Sequence, residues 1–362
     1  MSTATTPQTE PPSASKPKLS ARDRNVLDSA FSLDSRALAV VRILLAGLIL
    51  FEAFFLEWNR PRDPQGPIEF LNQYGDVIVI PFALMLLVGW KTRIAVVLCW
   101  LAYSLRIRSD LFTADINVDV GDYILTLALF WSMFLPVGRH LSLDSRHTDQ
   151  KPVRFLSVAS VALLFQIFII YFSAGLTKDV GEWVIDATAM ETILANPTYE
   201  TPLGLALLDY PALLAVMSVG TIVLELVGSI MVIVPGRSLA TRRLVVVPMF
   251  IALHVGIAAF MGIGLFPYVC IAVWLVFLPP VFWDRVWGFF TKRPSTTVPL
   301  TDKSKWRNSV AGVAVLIAAV SNIITWVWFP NVEGVAEQWQ TMATFLCLYQ
   351  QWAMFSVPSS LA

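Results

Sequence analysis

Apolar residues in this chain gather into about nine stretches, near 37–57, 76–90, 94–107, 122–138, 155–174, 211–235, 244–262, 264–283 and 309–330. Most are long enough to cross a hydrocarbon layer about 30 Å thick as a helix. The pattern predicts an all-α, polytopic membrane protein with about nine transmembrane helices. No polar connection is long enough to hold a separate soluble domain, and no internal repeat stands out. The expected organisation is a disordered cytoplasmic tail over 1–30 and a helical membrane domain over 31–290. A basic cytoplasmic linker over 291–308, a final transmembrane helix over 309–330 and a short extracytoplasmic tail over 331–362 follow. The connection at about 175–210, with its apolar run at 184–194, is expected to fold back over the helix ends as an interfacial segment.

Charge gives the pattern a direction. Of the 26 lysines and arginines, twenty fall in the N-terminal tail and in alternate connections. The opposite connections hold only Arg60, Arg62, Arg106, Arg108 and Lys178, and Arg42 lies inside the first stretch. By the positive-inside rule the N-terminus is cytoplasmic and the C-terminus outside. Many acids, among them Asp63, Asp76, Asp122, Asp179 and Glu182, fall on the outer side. That acidic surface argues against a nucleic-acid partner and leaves membrane lipid as the expected surroundings.

The composition, 56% apolar and 14% charged, agrees with a membrane protein. Cys99, Cys270 and Cys347 have neither disulfide nor metal-ligand spacing, so no metal is expected. Residues 1–20 are rich in Pro, Ser and Thr and lack the apolar core of a cleavable leader, so the first helix reads as an uncleaved anchor.

Because charge is costly in a bilayer, ionisable residues inside the apolar stretches are candidates for chemistry. Arg42 and Glu52 lie near opposite ends of the first stretch. Arg42 reads as snorkelling or pairing with a neighbouring acid, and Glu52 as solvated. Glu225 and His254 are deeper and must face the bundle interior. They form either a structural hydrogen bond between helices or the polar wall of a ligand cavity. Lys178, the one lysine on the acidic face, follows the stretch 155–174 and precedes Trp183. A lysine partly desolvated there is suited to act as a base or nucleophile. The alternative is an interfacial lysine paired with Asp179 and Glu182.

The segments Phe31-Ser-Leu-Asp-Ser-Arg-Ala-Leu-Ala-Val-Val-Arg42, Gly89-Trp-Lys-Thr-Arg93, Leu141-Ser-Leu-Asp144, Tyr171 to Trp183, Leu224-Glu-Leu-Val-Gly228, His254 to Tyr268 and Phe277-Leu-Pro-Pro280 occur in a telling order. Together they resemble the vitamin K-dependent gamma-carboxylase-like membrane family, whose bacterial branch is called the horizontally transferred transmembrane (HTTM) domain. Coverage is roughly 30–290, with a further likeness at Gln350-Gln-Trp-Ala-Met-Phe355. Ala174-Gly-Leu-Thr-Lys-Asp-Val-Gly-Glu-Trp183 looks like the carboxylase stretch whose lysine deprotonates the reduced vitamin. His254 with Gly262-Ile-Gly-Leu-Phe-Pro-Tyr268 is similar to the segment lining its cavity. The chain departs from the family at Gly121-Asp122, where the carboxylase carries a histidine. It also ends at Ala362, short of the strand-rich domain that holds the peptide glutamate.

The resemblance implies an enzyme of the bacterial plasma (inner) membrane with an outward-facing site. It would use reduced vitamin K or menaquinol, with O2 and CO2 as co-substrates, to couple hydroquinone epoxidation to carboxylation or a related proton abstraction. Lys178 and His254 carry the implied catalytic roles. Glu225, Tyr171, Trp183, Phe266 and Tyr268 are the implied neighbours of the isoprenoid quinol. The alternative is an accessory membrane protein for maturation or export of a secreted peptide. A transporter on the same bundle is disfavoured, because Gly262 to Pro267 has no inverted counterpart.

Overall fold

Each of the nine apolar stretches lies in a helix or overlaps one. The computed structural model describes residues 21–56, 66–113, 120–147, 151–290 and 297–323. It begins with α1 (Ala21–Phe31), β1 (Leu33–Asp34) and α2 (Ser35–Phe51), which a π turn extends over Glu52–Leu56. Then come α3 (Pro67–Val88), α4 (Thr92–Thr113), α5 (Val120–Ser132), β2 (Val153–Leu156) and α6 (Val158–Leu176). Two short helices, α7 (Ala189–Leu194) and α8 (Pro202–Leu207), lead to α9 (Pro211–Val223), a π turn at Leu224–Gly228 and α10 (Ser229–Ile233). The chain continues through α11 (Leu239–Phe260), α12 (Phe266–Trp274), α13 (Pro280–Phe290), β3 (Val298–Thr301) and α14 (Lys305–Ile323).

Four helical runs are long and apolar enough to cross a membrane: 35–55, 158–176, 211–233 and 239–260. A fifth is reached if the pair 266–277 and 280–290, bent by 101°, counts as one span. The protein is therefore a mostly helical integral membrane protein. The hairpin of α3 and α4 is the most extensive helix pair, and the apolar part of α3, Tyr74–Val88, counts among the shorter apolar helices.

Two expectations change. Residues 21–30, assigned to a disordered tail, are helical in α1. The all-α expectation gives way to a helical bundle with one small sheet, in which β2 pairs antiparallel with β1 and parallel with β3. Residues 1–20, 291–296 and 331–362 lie outside the described residues, as does the end of the stretch 309–330.

The sheet ties three basic connections together at one end of the bundle. Other motifs close the same end. Asp144 accepts from the backbone N–H of Lys91 (2.8 Å) and Thr92 (2.7 Å) and from the Thr92 hydroxyl (2.7 Å), capping α4. Burial works against this charge, but those bonds and the nearby Arg42 hold the carboxyl below its usual range. Gly89 must be glycine, because its φ is +69° and an added Cβ would lie 2.3 Å from Ser142 Cβ. Arg42 neither snorkels nor pairs with an acid in contact; it donates to the carbonyl oxygens of Val137 and Leu141. Arg36 pairs with Asp34 and Asp284, each at 2.8 Å, joining α2 to α13. Segments that carry the family resemblance thus meet here to hold the fold.

The opposite end carries the chain between α6 and α9. As expected, it folds back over the helix ends: Trp183, Ile193 and Leu194 form a small core with Leu214, Ile222 and Met261. The Thr201 hydroxyl anchors it by donating to the Phe260 carbonyl at 2.9 Å.

Candidate functional site

Helix α6 starts at a capping box made by Ser157 and Ser160 and ends at Leu176, so Lys178 leaves its last turn over the side of the bundle. Its side chain turns inward, 1% exposed, with Nζ 3.4 Å from the Ala174 carbonyl. A π turn at Gly181–Ile185 then brings the Trp183 ring within 4.7 Å of Nζ, a cation–π distance. Asp179 and Glu182 are not the counter-ions. Asp179 Oδ1 instead accepts from the Glu182 backbone N–H at 2.8 Å.

The counter-ion is Glu225, which comes from the π turn between α9 and α10. A π turn inserts one extra residue into the helical ladder, and such turns recur at functional sites. Here the insertion carries Glu225 toward α6, placing Oε2 2.7 Å from Lys178 Nζ. Gly175 makes this approach possible, because a Cβ there would lie 2.9 Å from the Leu226 side chain and 3.1 Å from Glu225 Cβ. Both side chains are buried, so each is the other's charge partner in the wall.

His254, on α11, completes the polar set. Its Nε2 is 2.6 Å from the Tyr171 hydroxyl of α6, and its Nδ1 is buried with no hydrogen-bond partner among the described residues. Tyr171 packs edge-to-face against the stacked pair Phe250 and Trp274, and Phe266 meets the imidazole edge-on at 5.4 Å.

Lys178, Glu225, His254, Tyr171, Trp183 and Phe266 all line one cavity of about 420 Å³. Tyr268, expected beside them, is 46% exposed and does not line it. At 100° per residue, a position two beyond Phe266 on α12 faces nearly the opposite way. The sequence reading missed the rest of the wall. Met190, Met217, Met249 and Met261 supply much of it, and adaptable thioethers suit a lipophilic guest. The mouth lies between α9 and α11, where Val216 and Met249 are 69% and 49% exposed. A Cβ added at the lining residues Gly220 or Gly256 would meet nothing within 4 Å.

A second buried cluster joins α2, α3, α4 and α5. Arg106 Nη1 is 2.9 Å from Glu52 Oε1, and Arg106 Nε is 2.8 Å from Asp76 Oδ1. The Tyr103 hydroxyl lies 2.7 Å from Glu52 Oε2 and 2.6 Å from Asp122 Oδ1. Glu52, expected to be solvated, is therefore a buried partner. Arg106, Asp76 and Asp122, assigned to exposed connections, lie within the bundle. Among the described residues no group of three or more His, Cys, Asp or Glu is placed to hold a metal ion.

No match was found among curated proteins or among solved structures. A family model described as the HTTM domain matches residues 71–283, from within α3 into α13 and more than half of the chain, and the protein therefore belongs to the HTTM-domain family.

Proposed function

We propose that the protein spans the plasma membrane of a bacterium nine times with its basic end in the cytoplasm, and that its cavity binds an isoprenoid hydroquinone for an oxygen-dependent reaction. The observation that carries this reading is the Lys178–Glu225 pair, buried in the wall of an otherwise apolar cavity whose mouth faces sideways between α9 and α11. A mouth at that level admits a lipid-soluble molecule from the bilayer. The fit is chemical as well as spatial. The lining is largely apolar and methionine-rich, while His254 Nδ1, without a hydrogen-bond partner among the described residues, is left for a guest. Trp183, Tyr171 and Phe266 offer aromatic surface to a ring.

Lys178 and Glu225 act as one acid–base unit. Transfer of a proton from Nζ to Oε2 across 2.7 Å leaves a neutral amine facing the cavity. That amine takes a proton from a ligand hydroxyl, and the ammonium formed then stabilises the oxyanion beside it. The apolar walls exclude water and strengthen this interaction. A bound hydroquinone would supply, with O2, the strong base needed to deprotonate a carbon acid ahead of CO2 capture.

Purified protein in nanodiscs, given reduced menaquinone or vitamin K and oxygen, is expected to form quinone epoxide. Lys178→Ala is expected to lower the rate by about 10²-fold or more. An absence of epoxide from well-folded wild type would overturn the enzymatic reading and favour a role in maturing or exporting a secreted peptide.

A further inference from the structure

His254 is 1% exposed, and its ring forms part of the cavity wall. A neutral imidazole has one N–H and one acceptor nitrogen, and the partner at one nitrogen decides what the other presents. The partner here is the Tyr171 hydroxyl, 2.6 Å from Nε2. The phenol has a single hydrogen, and its other polar neighbours do not compete for it. The Cys270 thiol is a weak acceptor, and the Trp274 indole is a donor only, lying beside the same oxygen without hydrogen-bond alignment. The hydrogen therefore goes to Nε2, the best acceptor in reach.

The remaining nitrogen, Nδ1, then carries the ring hydrogen. It is buried and has no partner among the described residues, an arrangement that is costly unless a ligand completes it. We propose that Tyr171 is a positioning residue that locks His254 in the Nδ1–H tautomer, so that this wall of the cavity recognises an oxygen acceptor on the bound molecule, such as a ring carbonyl. The proposal rests on the reading that the cavity takes a ring-bearing lipophile, and it goes further. Tyr171 acts through His254 as well as by its aromatic surface, and the ligand must present an acceptor oxygen there besides the one beside Lys178.

The test is 15N NMR of histidine-labelled protein in nanodiscs, with the His254 signals identified by their loss in His254→Gln. Wild type is expected to show a protonated Nδ1 and a bare Nε2. Tyr171→Phe, which keeps the ring and removes the hydroxyl, is expected to populate the other tautomer. Adding 2-methyl-1,4-naphthoquinone is expected to shift the Nδ1–H signal and to bind about tenfold more weakly to Tyr171→Phe, whereas 2-methylnaphthalene, which lacks the oxygens, is expected to do neither. A wild-type spectrum with hydrogen on Nε2 overturns the proposal even if the variant fails to fold. So does a tautomer unchanged in Tyr171→Phe, or a shift from the naphthalene as large as that from the quinone. If the quinone shifts the signal as expected but the reduced quinone and O2 give no epoxide, the enzymatic reading fails and this one stands.

Discussion

The bundle buries charge in two places, and it treats them oppositely. Lys178 meets Glu225 one on one in a cavity wall, and beside the pair His254 Nδ1 has no hydrogen-bond partner among the described residues. Arg106 meets three carboxyl side chains between packed helices, with Tyr103 bridging two of them. A phenol has one hydrogen, so both short Tyr103 contacts are satisfied when one of the two carboxyls carries a proton. The second cluster thus pairs its members with one another and joins four helices. The first leaves capacity for something else. Buried charge that lines a cavity beside an unpartnered nitrogen is suited to a guest, whereas buried charge shared among packed helices is suited to a structural joint.

Removing the cation from each cluster tests this difference most strongly. Arg106→Met leaves carboxylates without their counter-charge inside the bundle and is expected to cost about 3–5 kcal/mol. In detergent that is a fall in Tm on the order of 10 °C, or failure to purify a folded protein. Lys178→Met leaves one carboxylate beside a cavity and is expected to cost about 1–3 kcal/mol, while removing epoxide formation. Equal losses in the two melts would break the comparison and make the Lys178–Glu225 pair a structural joint as well.

A smaller effect separates the floor of the cavity from its mouth. Gly175→Ala pushes α6 away from the turn that carries Glu225 and is expected to cost about 1–3 kcal/mol by overpacking. It should also slow any Lys178-dependent reaction. Gly220→Ala, where the new methyl group meets nothing, is expected to change stability by less than about 0.5 kcal/mol. Melting curves of both variants with epoxide assays check this. An inactive Gly220→Ala protein of normal stability would show that the mouth, and not only the ion pair, controls the reaction.

The helices were legible because apolar runs of their length have few alternatives, and the shared basic end because basic residues recur in alternate connections. Lys178, Glu225 and His254 stood out as ionisable residues at or within apolar runs, where each needs a reason. Arg106 did not. It lies close to Arg108 at the edge of an apolar stretch and looks like a surface charge, and its partners are Glu52, Asp76 and Asp122, 54, 30 and 16 positions away. Pairings of that kind depend on tertiary packing, which no local pattern records. The π turns are equally silent in sequence, although one of them decides that Glu225 reaches Lys178. Tyr268 was misplaced because the family motif was read as a unit, whereas a helix divides adjacent motif residues between opposite faces. The sheet was missed because β1 has two residues and β3 is exposed, leaving neither with an alternating apolar pattern.

The smallest expected effect lies at the basic end and sharpens the claim that the members of the Arg106 cluster stay paired with one another. His140 is half-buried, with Nε2 3.0 Å from the Ser35 hydroxyl. Burial, helped by the positive charges of Arg139 and Arg36, lowers its pKa from the usual 6.5 to about 4. The unfolded chain therefore takes up a proton below about pH 6.5 that the folded chain refuses until about pH 4. Stability from this group is complete above that window and is lost progressively as the pH falls through it. Solvent screening of a half-buried ring keeps the loss on the order of 1 kcal/mol, or about 2–4 °C in Tm. His140→Gln is expected to flatten the melting temperature between pH 6.5 and 4. If the slope persists in that variant, the acid response comes from groups elsewhere, and the carboxyls around Arg106 become the first to examine.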